Sequence, residues 1–188
     1  MNALTTALLE TGLVQFGEFA TSAGFRPFQT SLEMIASYPD VLQLAASEAA
    51  SRLPDTEFLL AAPDAVTLAV VVGMERKLPV VFSRGCGESP VYDLVGAYDI
   101  GHAAVLIAGA SNEPEQLRQL AEGARRVGLG VHTVLVVVET APVALPDSEV
   151  IALVRLPEVA RRLADAGRLP AGQARAVAEW LPETGRNA

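Results

Sequence analysis

The chain has one cysteine, Cys86, one lysine, Lys77, and two histidines in 188 residues, and each scarcity excludes some chemistry. A single cysteine cannot form an intrachain disulfide. Thirteen of the fourteen basic residues are arginines, so a site needing several ammonium groups is excluded. The histidines, His102 and His132, lack the His/Cys/carboxylate spacing of a metal site and read as structural or surface residues. Aromatic residues are only 5% against 51% hydrophobic, so the core must be built from Ala, Val and Leu, and general disorder is excluded. Basic residues are outnumbered 14 to 22, and the net charge of -8 repels phosphate backbones and anionic lipid. Neither a nucleic acid nor a membrane is an expected partner. The longest apolar runs, 65–74 and 103–110, are about half a membrane span. Residues 1–13 lack the basic start and continuous apolar centre of a signal peptide, which makes the cytoplasm the expected compartment.

What is present alternates between apolar runs and amphipathic helices. Residues 4–13 read as a helix stopped at Gly12, and 16–19 with 27–30 as extended segments about a turn at Ala23 and Gly24. Helical spacing recurs over 39–53, and Pro39 is acceptable in a first turn. A strand at 58–62 precedes Pro63 and Asp64, which are placed to cap a helix reaching about Met74. A strand at 80–83 is followed by a Gly-rich loop over 84–90. A buried strand at 103–107 leads to Ser111, Asn112 and Pro114, start signals for a helix over 114–127. Gly128 and Gly130 stop that helix before a β-branched strand at 131–138; their order is the reverse of a dinucleotide fingerprint. Pro142 and Pro146 mark a loop, 150–154 an edge strand, and 157–166 with 171–181 two helices, with a frayed end at 183–188. Such alternation predicts an α/β fold with a largely parallel sheet covered on both faces, strands 58–62, 103–107 and 131–138 side by side, and ligands beyond the strands' carboxyl ends.

Along 9–181 the chain resembles the orotate phosphoribosyltransferase branch of the type I phosphoribosyltransferases. The resemblance rests on Thr11-Gly12-Leu13, Phe16-Gly17-Glu18-Phe19, Ala23-Gly24, Pro27-Phe28, Ala62-Pro63, Phe82-Ser83-Arg84, Leu94-Val95-Gly96, strand 103–107 and Gly128, in that order. It implies a phosphoribosyltransferase-like fold: one domain over 1–188, a mostly parallel twisted sheet with helices on both faces (core about 38–140), and a small hood from about 1–37 and 141–182. It also implies a homodimer, and an activity that transfers phosphoribosyl from phosphoribosyl diphosphate to a base with magnesium.

The residues that carry that activity in the family are replaced here. Its signature is a hydrophobic strand, two adjacent acidic residues for the ribose hydroxyls, and a Thr-Ala-Gly-Thr type loop whose free N–H groups cradle the 5-phosphate. Ala108 and Gly109 stand at the acidic pair, and Asn112, Glu113, Pro114 and Glu115 at the loop. Pro114 removes an N–H donor, and Glu113 and Glu115 are expected to place two charges where phosphate would lie. Each unit pair at about 5 Å and a dielectric of about 20 costs roughly 3 kcal/mol, a hundredfold in affinity. Val66 takes the place of the diphosphate lysine, Arg84 is the only base in the shortened mobile loop, and Thr140, after Glu139, replaces the orotate arginine. The amino-terminal turn keeps Arg26 and Phe28 but lacks one residue before Pro27.

The candidate ligand cleft therefore comprises Arg26, Phe28, Pro63, Asp64, Arg84, Ala108, Gly109, Ser111, Asn112 and Glu113, with no catalytic residue and no metal ligand assigned. Segment 111–115 is expected to serve as a well-capped helix start. Cys86, between Gly85 and Gly87 and near Glu88 and Ser89, reads as a free loop thiol, since only Arg84 is at hand to lower its pKa. Asp93 and Asp99 read as solvated residues of a hairpin. Three functions follow: a non-catalytic ligand-binding or regulatory member of the family, needing no cofactor; a divergent transferase using Arg26 and Arg84, needing magnesium and phosphoribosyl diphosphate; or a structural interaction protein with a self-filled cleft.

Overall fold

A computed structural model describes residues 1–21, 24–85, 94–143, 145 and 147–180. Cys86, Glu88, Ser89, Asp93, Ala23, Pro146 and segment 181–188 lie outside the described residues, so the readings made of them have no structural counterpart here.

Helix α1 (Ala3–Glu10) is capped by Asn2, whose Oδ1 accepts the Thr5 N–H at 2.9 Å. It leads into an antiparallel hairpin, β1 (Val14–Thr21) with β2 (Gly24–Thr30), then a 3₁₀ segment (Leu32–Ser37) not anticipated from sequence. Helix α2 (Pro39–Arg52) buries Val41, Ala45, Ala46, Ala49 and Ala50, and its small side chains let α3 (Val66–Arg76) pack closely. Strands β3 (Phe58–Ala61), β4 (Val80–Ser83) and the short β5 (Leu94–Val95) alternate with these helices. After them come β6 (Ala103–Ala110), α4 (Pro114–Arg126), β7 (Gly130–Glu139), β8 (Glu149–Arg155), α5 (Leu156–Asp165) and α6 (Ala171–Glu179).

The main sheet runs β5-β4-β3-β6-β7-β8, parallel throughout except for β5. Strands β3, β6 and β7 are adjacent, as their apolar runs predict: Leu60, Leu106 and Val136 are all fully buried. Helix α4 covers one face through Leu117, Leu120, Ala121 and Ala124. The other face is covered by α2 and α3, with α1, α5, α6 and the hairpin joined to the same apolar cluster. Gly128, at φ +94°, terminates α4, and a Cβ there would fall 2.6 Å from the Ile100 side chain. Strand β8 is the edge strand expected at 150–154 and lies in the main sheet, so the sheet reaches past the expected core limit near residue 140. No helix among the described residues is long and apolar enough to cross a membrane.

The hood is the β1–β2 hairpin tied to α6. Gln173 Nε2 donates to the carbonyls of Gly17 (3.0 Å) and Pro27 (2.6 Å), and the Phe28 ring meets Trp180 edge-on at 4.9 Å.

Candidate functional site

The candidate cleft is the place where β3, β6 and β7 end beneath the hairpin, marked by the Asn112–Thr30 hydrogen bond and by the approach of Leu32 to Gly109. Chain direction sorts the titratable residues between the two ends of the sheet. Lys77 is the C-cap of α3 just before β4, so the only lysine sits at the amino-terminal ends of the strands, opposite the cleft. His102 and His132 lie at that end too; His102 Nδ1 is 2.7 Å from Glu57 Oε1, and its ring packs on Phe58. This hydrogen bond, with a second from the Ala103 N–H, holds the Glu57 carboxyl below its ordinary range. His132 is exposed on the strand. Asp99 is exposed in the segment between β5 and β6.

Asp64 is the centre of the cleft. It stands in a 3₁₀ turn (Pro63–Ala65) after β3, and its Oδ1 and Oδ2 accept the N–H groups of Gly109 (3.1 Å) and Ala110 (2.9 Å) at the end of β6. The expectation that Asp64 caps the following helix is therefore corrected: α3 has no side-chain cap, and the carboxylate serves the neighbouring strand. Gly109 makes this possible. A Cβ there would lie 2.6 Å from Asp64 Oδ2 and 2.9 Å from Leu32 Cβ. Burial pushes the Asp64 carboxyl up, the two amides oppose that, and Glu33 on the 3₁₀ segment pushes it further up.

Because that pKa is raised above the unfolded value, the folded state holds the proton more tightly, and Asp64's share of stability grows as pH falls through the window between the two. Asp64→Asn removes this titration. Native protein is expected to gain stability relative to Asp64→Asn as pH is lowered through the range just above the ordinary aspartate pKa. Urea unfolding of both proteins across that range checks it; a constant difference would refute it.

The helix start at 111–115 is organised differently from the expected capping. Ser111 is fully buried: its Oγ accepts the N–H groups of Thr140 (2.9 Å) and Ala141 (3.3 Å) and donates to the Ala141 carbonyl (2.9 Å). It fastens β6 to β7 and is closed to a ligand. Asn112 reaches the hood, Nδ2 donating to Thr30 Oγ1 at 2.7 Å, while its Oδ1 is buried without a partner. The N-cap is Glu113, with no side-chain cap bond. Glu115 does not face the cleft; Arg118 and Gln119 hold it on the exposed face of α4, and the Arg118 bond draws its pKa down to about 2. Of the two carboxylates expected against a phosphate, only Glu113 remains available.

Glu113 acts electrostatically on Arg26, the cation of the hood. Arg26 donates through Nε to the Phe28 carbonyl (2.9 Å) and lies over the Phe28 ring at 5.3 Å; burial lowers its pKa and Glu113 opposes that. Phe28 is fully buried. Pro63 lies at the mouth against Gly85, whose Cβ would come within 2.8 Å of it, and Arg84 is exposed beside them at the end of β4. Ala108 is fully buried among the side chains under α4. Thr140 is buried against Ser111, and Glu139 pairs with Arg155 at 3.1 Å. The structure thus brings together Arg26, Asp64, Gly109, Asn112 and Glu113. It adds Thr30, Leu32 and Glu33, which no local pattern had singled out.

No family model matches the chain. An orotate phosphoribosyltransferase of Archaeoglobus fulgidus is 25% identical over 146 residues, 73% of this chain and 81% of that protein. One of Methanopyrus kandleri is 30% identical over 145 residues, 72% of this chain and 76% of that protein. Among solved structures, the UMP synthase of Leishmania donovani superposes with a TM-score of 0.76 at 22% identity, over 93% of this chain and 40% of the other; this chain spans less than half of that protein. With its sheet order, its hood over the strand ends, and a 30% identical relative covered across three quarters of its length, the chain belongs to the orotate phosphoribosyltransferase-like family of type I phosphoribosyltransferases.

Proposed function

We propose that this protein is a non-catalytic member of its family, a ligand-binding or regulatory paralogue. The observation that carries the reading is the filled space at the end of β6: Asp64 occupies the Gly109 and Ala110 amides, and position 109 has no room for a side chain. A magnesium-bound diphosphate does not fit the residues present. Ala108 and Gly109 offer no carboxylate, both Asp64 oxygens are engaged by backbone, and no group of three His, Cys, Asp or Glu among the described residues is arranged to hold a metal. Asp64, Glu33 and Glu113 give the cleft the wrong sign for phosphate, with Arg26 held within the same charge arrangement.

The second reading, a divergent transferase acting on a pyrimidine or other base, is favoured by Arg26 in the cleft and by the similarity to two orotate phosphoribosyltransferases. The two separate by experiment. Millimolar phosphoribosyl diphosphate with magnesium is expected to leave the melting temperature unchanged and to give no orotate consumption. A ligand present at a hundred times its Kd adds about 2.7 kcal/mol, roughly 5–10 °C for a chain of this size. A shift of that size, or turnover, refutes the non-catalytic reading. A cytoplasmic homodimer is part of the proposal; light scattering that finds a monomer at micromolar concentration would remove the dimer from it.

A further inference from the structure

We propose that the adjacent backbone N–H groups of Gly109 and Ala110 form an anion-binding pair, and that Asp64 is its built-in occupant, closing the cleft to phosphate groups. The inference deepens the non-catalytic reading and rests on it.

Four observations converge. Each Asp64 oxygen takes one of two consecutive amides, at 3.1 and 2.9 Å, the two-oxygen geometry with which a phosphate engages a pair of main-chain donors. The contact joins residues 45 and 46 apart in sequence and links the turn after β3 to the end of β6, so it is no local cap. The turn and α3 both lack a side-chain cap of their own, although Asp64 is placed to supply one. Finally, the absence of a side chain at 109 leaves room for the carboxylate, since a Cβ would come within 2.6 Å of Oδ2. A carboxylate beside Glu33 is an unfavourable thing to enclose unless the amides need an anion. The same amides, once vacated, offer an external oxyanion what they now give Asp64. The arrangement explains how a chain with this fold excludes phosphate without losing the donors.

The test is calorimetric titration of native protein, Asp64→Ala and Asp64→Asn with inorganic phosphate at neutral pH, with amide NMR of the same samples. Native protein is expected to show no saturation at about 10 mM, and Asp64→Ala to bind at least about tenfold more tightly, with the Gly109 and Ala110 amide signals moving on titration. Asp64→Asn keeps the side-chain size and one acceptor, so it guards against a variant that fails to fold. It is expected to gain in the same direction, by less, because the repelling charge is gone. Phosphate affinity of both variants equal to native, native saturation below about 1 mM, or a gain whose signals lie away from 109 and 110 each overturns the inference. Orotate turnover by the native protein decides the functional reading separately: turnover together with a gain in Asp64→Ala defeats that reading and leaves the anion pair standing.

Discussion

Restoring the family's acidic pair, by Ala108→Asp with Gly109→Asp, is expected to unfold the protein rather than give it transferase activity. Ala108 is fully buried in the layer between the sheet and α4, packed with Leu117, Leu120 and Ala121. A carboxylate there would lie within an apolar cluster, and an unpaired buried charge costs several kcal/mol even after relaxation. At 109 the first added carbon already overlaps Asp64 Oδ2 and Leu32 Cβ, at 2.6 and 2.9 Å, and overpacking of that kind costs about 1–3 kcal/mol. The added charge would then lie against Asp64, whose pKa is already raised by burial and Glu33. The combined loss, on the order of 5 kcal/mol or more, is comparable with the whole stability of an ordinary domain. Urea unfolding of the double variant, with Gly109→Ala as the steric control at about 1–3 kcal/mol, checks the expectation. A double variant within about 1 kcal/mol of native would mean the cleft has room for the acids, and the filled-site account would fail.

The central sheet was legible because its strands are buried on both faces and read as unbroken apolar runs, as in 103–110 and 131–138. Helix α4 was legible in extent through Pro114 and Gly128, one fixing φ in the first turn and the other taking φ +94° beyond the last. Its start falls at Pro114 as expected, but the capping of that start was misread for a physical reason. Ser111 and Asn112 are good capping residues, yet a buried strand end and an overhanging hood compete for the same polar groups, and long-range bonds to Thr140, Ala141 and Thr30 replace the local ones. Glu115 was misassigned although the signal was present, since Arg118 stands one turn on at i+3 and pairs with it on the exposed face.

The role of Asp64 left almost no signature, because its donors come from a strand 45 residues away and are backbone groups, blind to side-chain identity. Only the glycine at 109 hinted at it, and a glycine at a strand end has many causes. The same holds for the tie between hood and α6. Gln173 bonds to the carbonyls of Gly17 and Pro27, a contact fixed by topology across almost the whole chain.

That tie sets up the second large expected effect. Phe28→Ala is expected to cost about 3–5 kcal/mol and to loosen the hood while leaving the six-stranded sheet in place. Phe28 is fully buried where the hairpin meets α6, edge-on to Trp180 at 4.9 Å, and aromatic pairs of this kind add about 0.5–1.5 kcal/mol beyond the area they bury. Its ring also lies under Arg26, whose opposition to Glu113 depends on the hairpin's position over α4. Truncation therefore removes an apolar anchor and the support of the cleft's cation together. Trp180 is the only tryptophan, so selectively excited tryptophan emission reports on the surroundings of this one ring. The variant is expected to show red-shifted emission without denaturant, a lower urea midpoint, and far-UV circular dichroism close to native. Phe28→Leu, which keeps most of the volume and loses the ring edge, is expected to lie between the two, at about 1–1.5 kcal/mol. Unchanged emission with a loss below about 1 kcal/mol would show that Gln173 and the Asn112–Thr30 bond hold the hood without the aromatic anchor, and that Arg26 owes its place to the backbone it bonds.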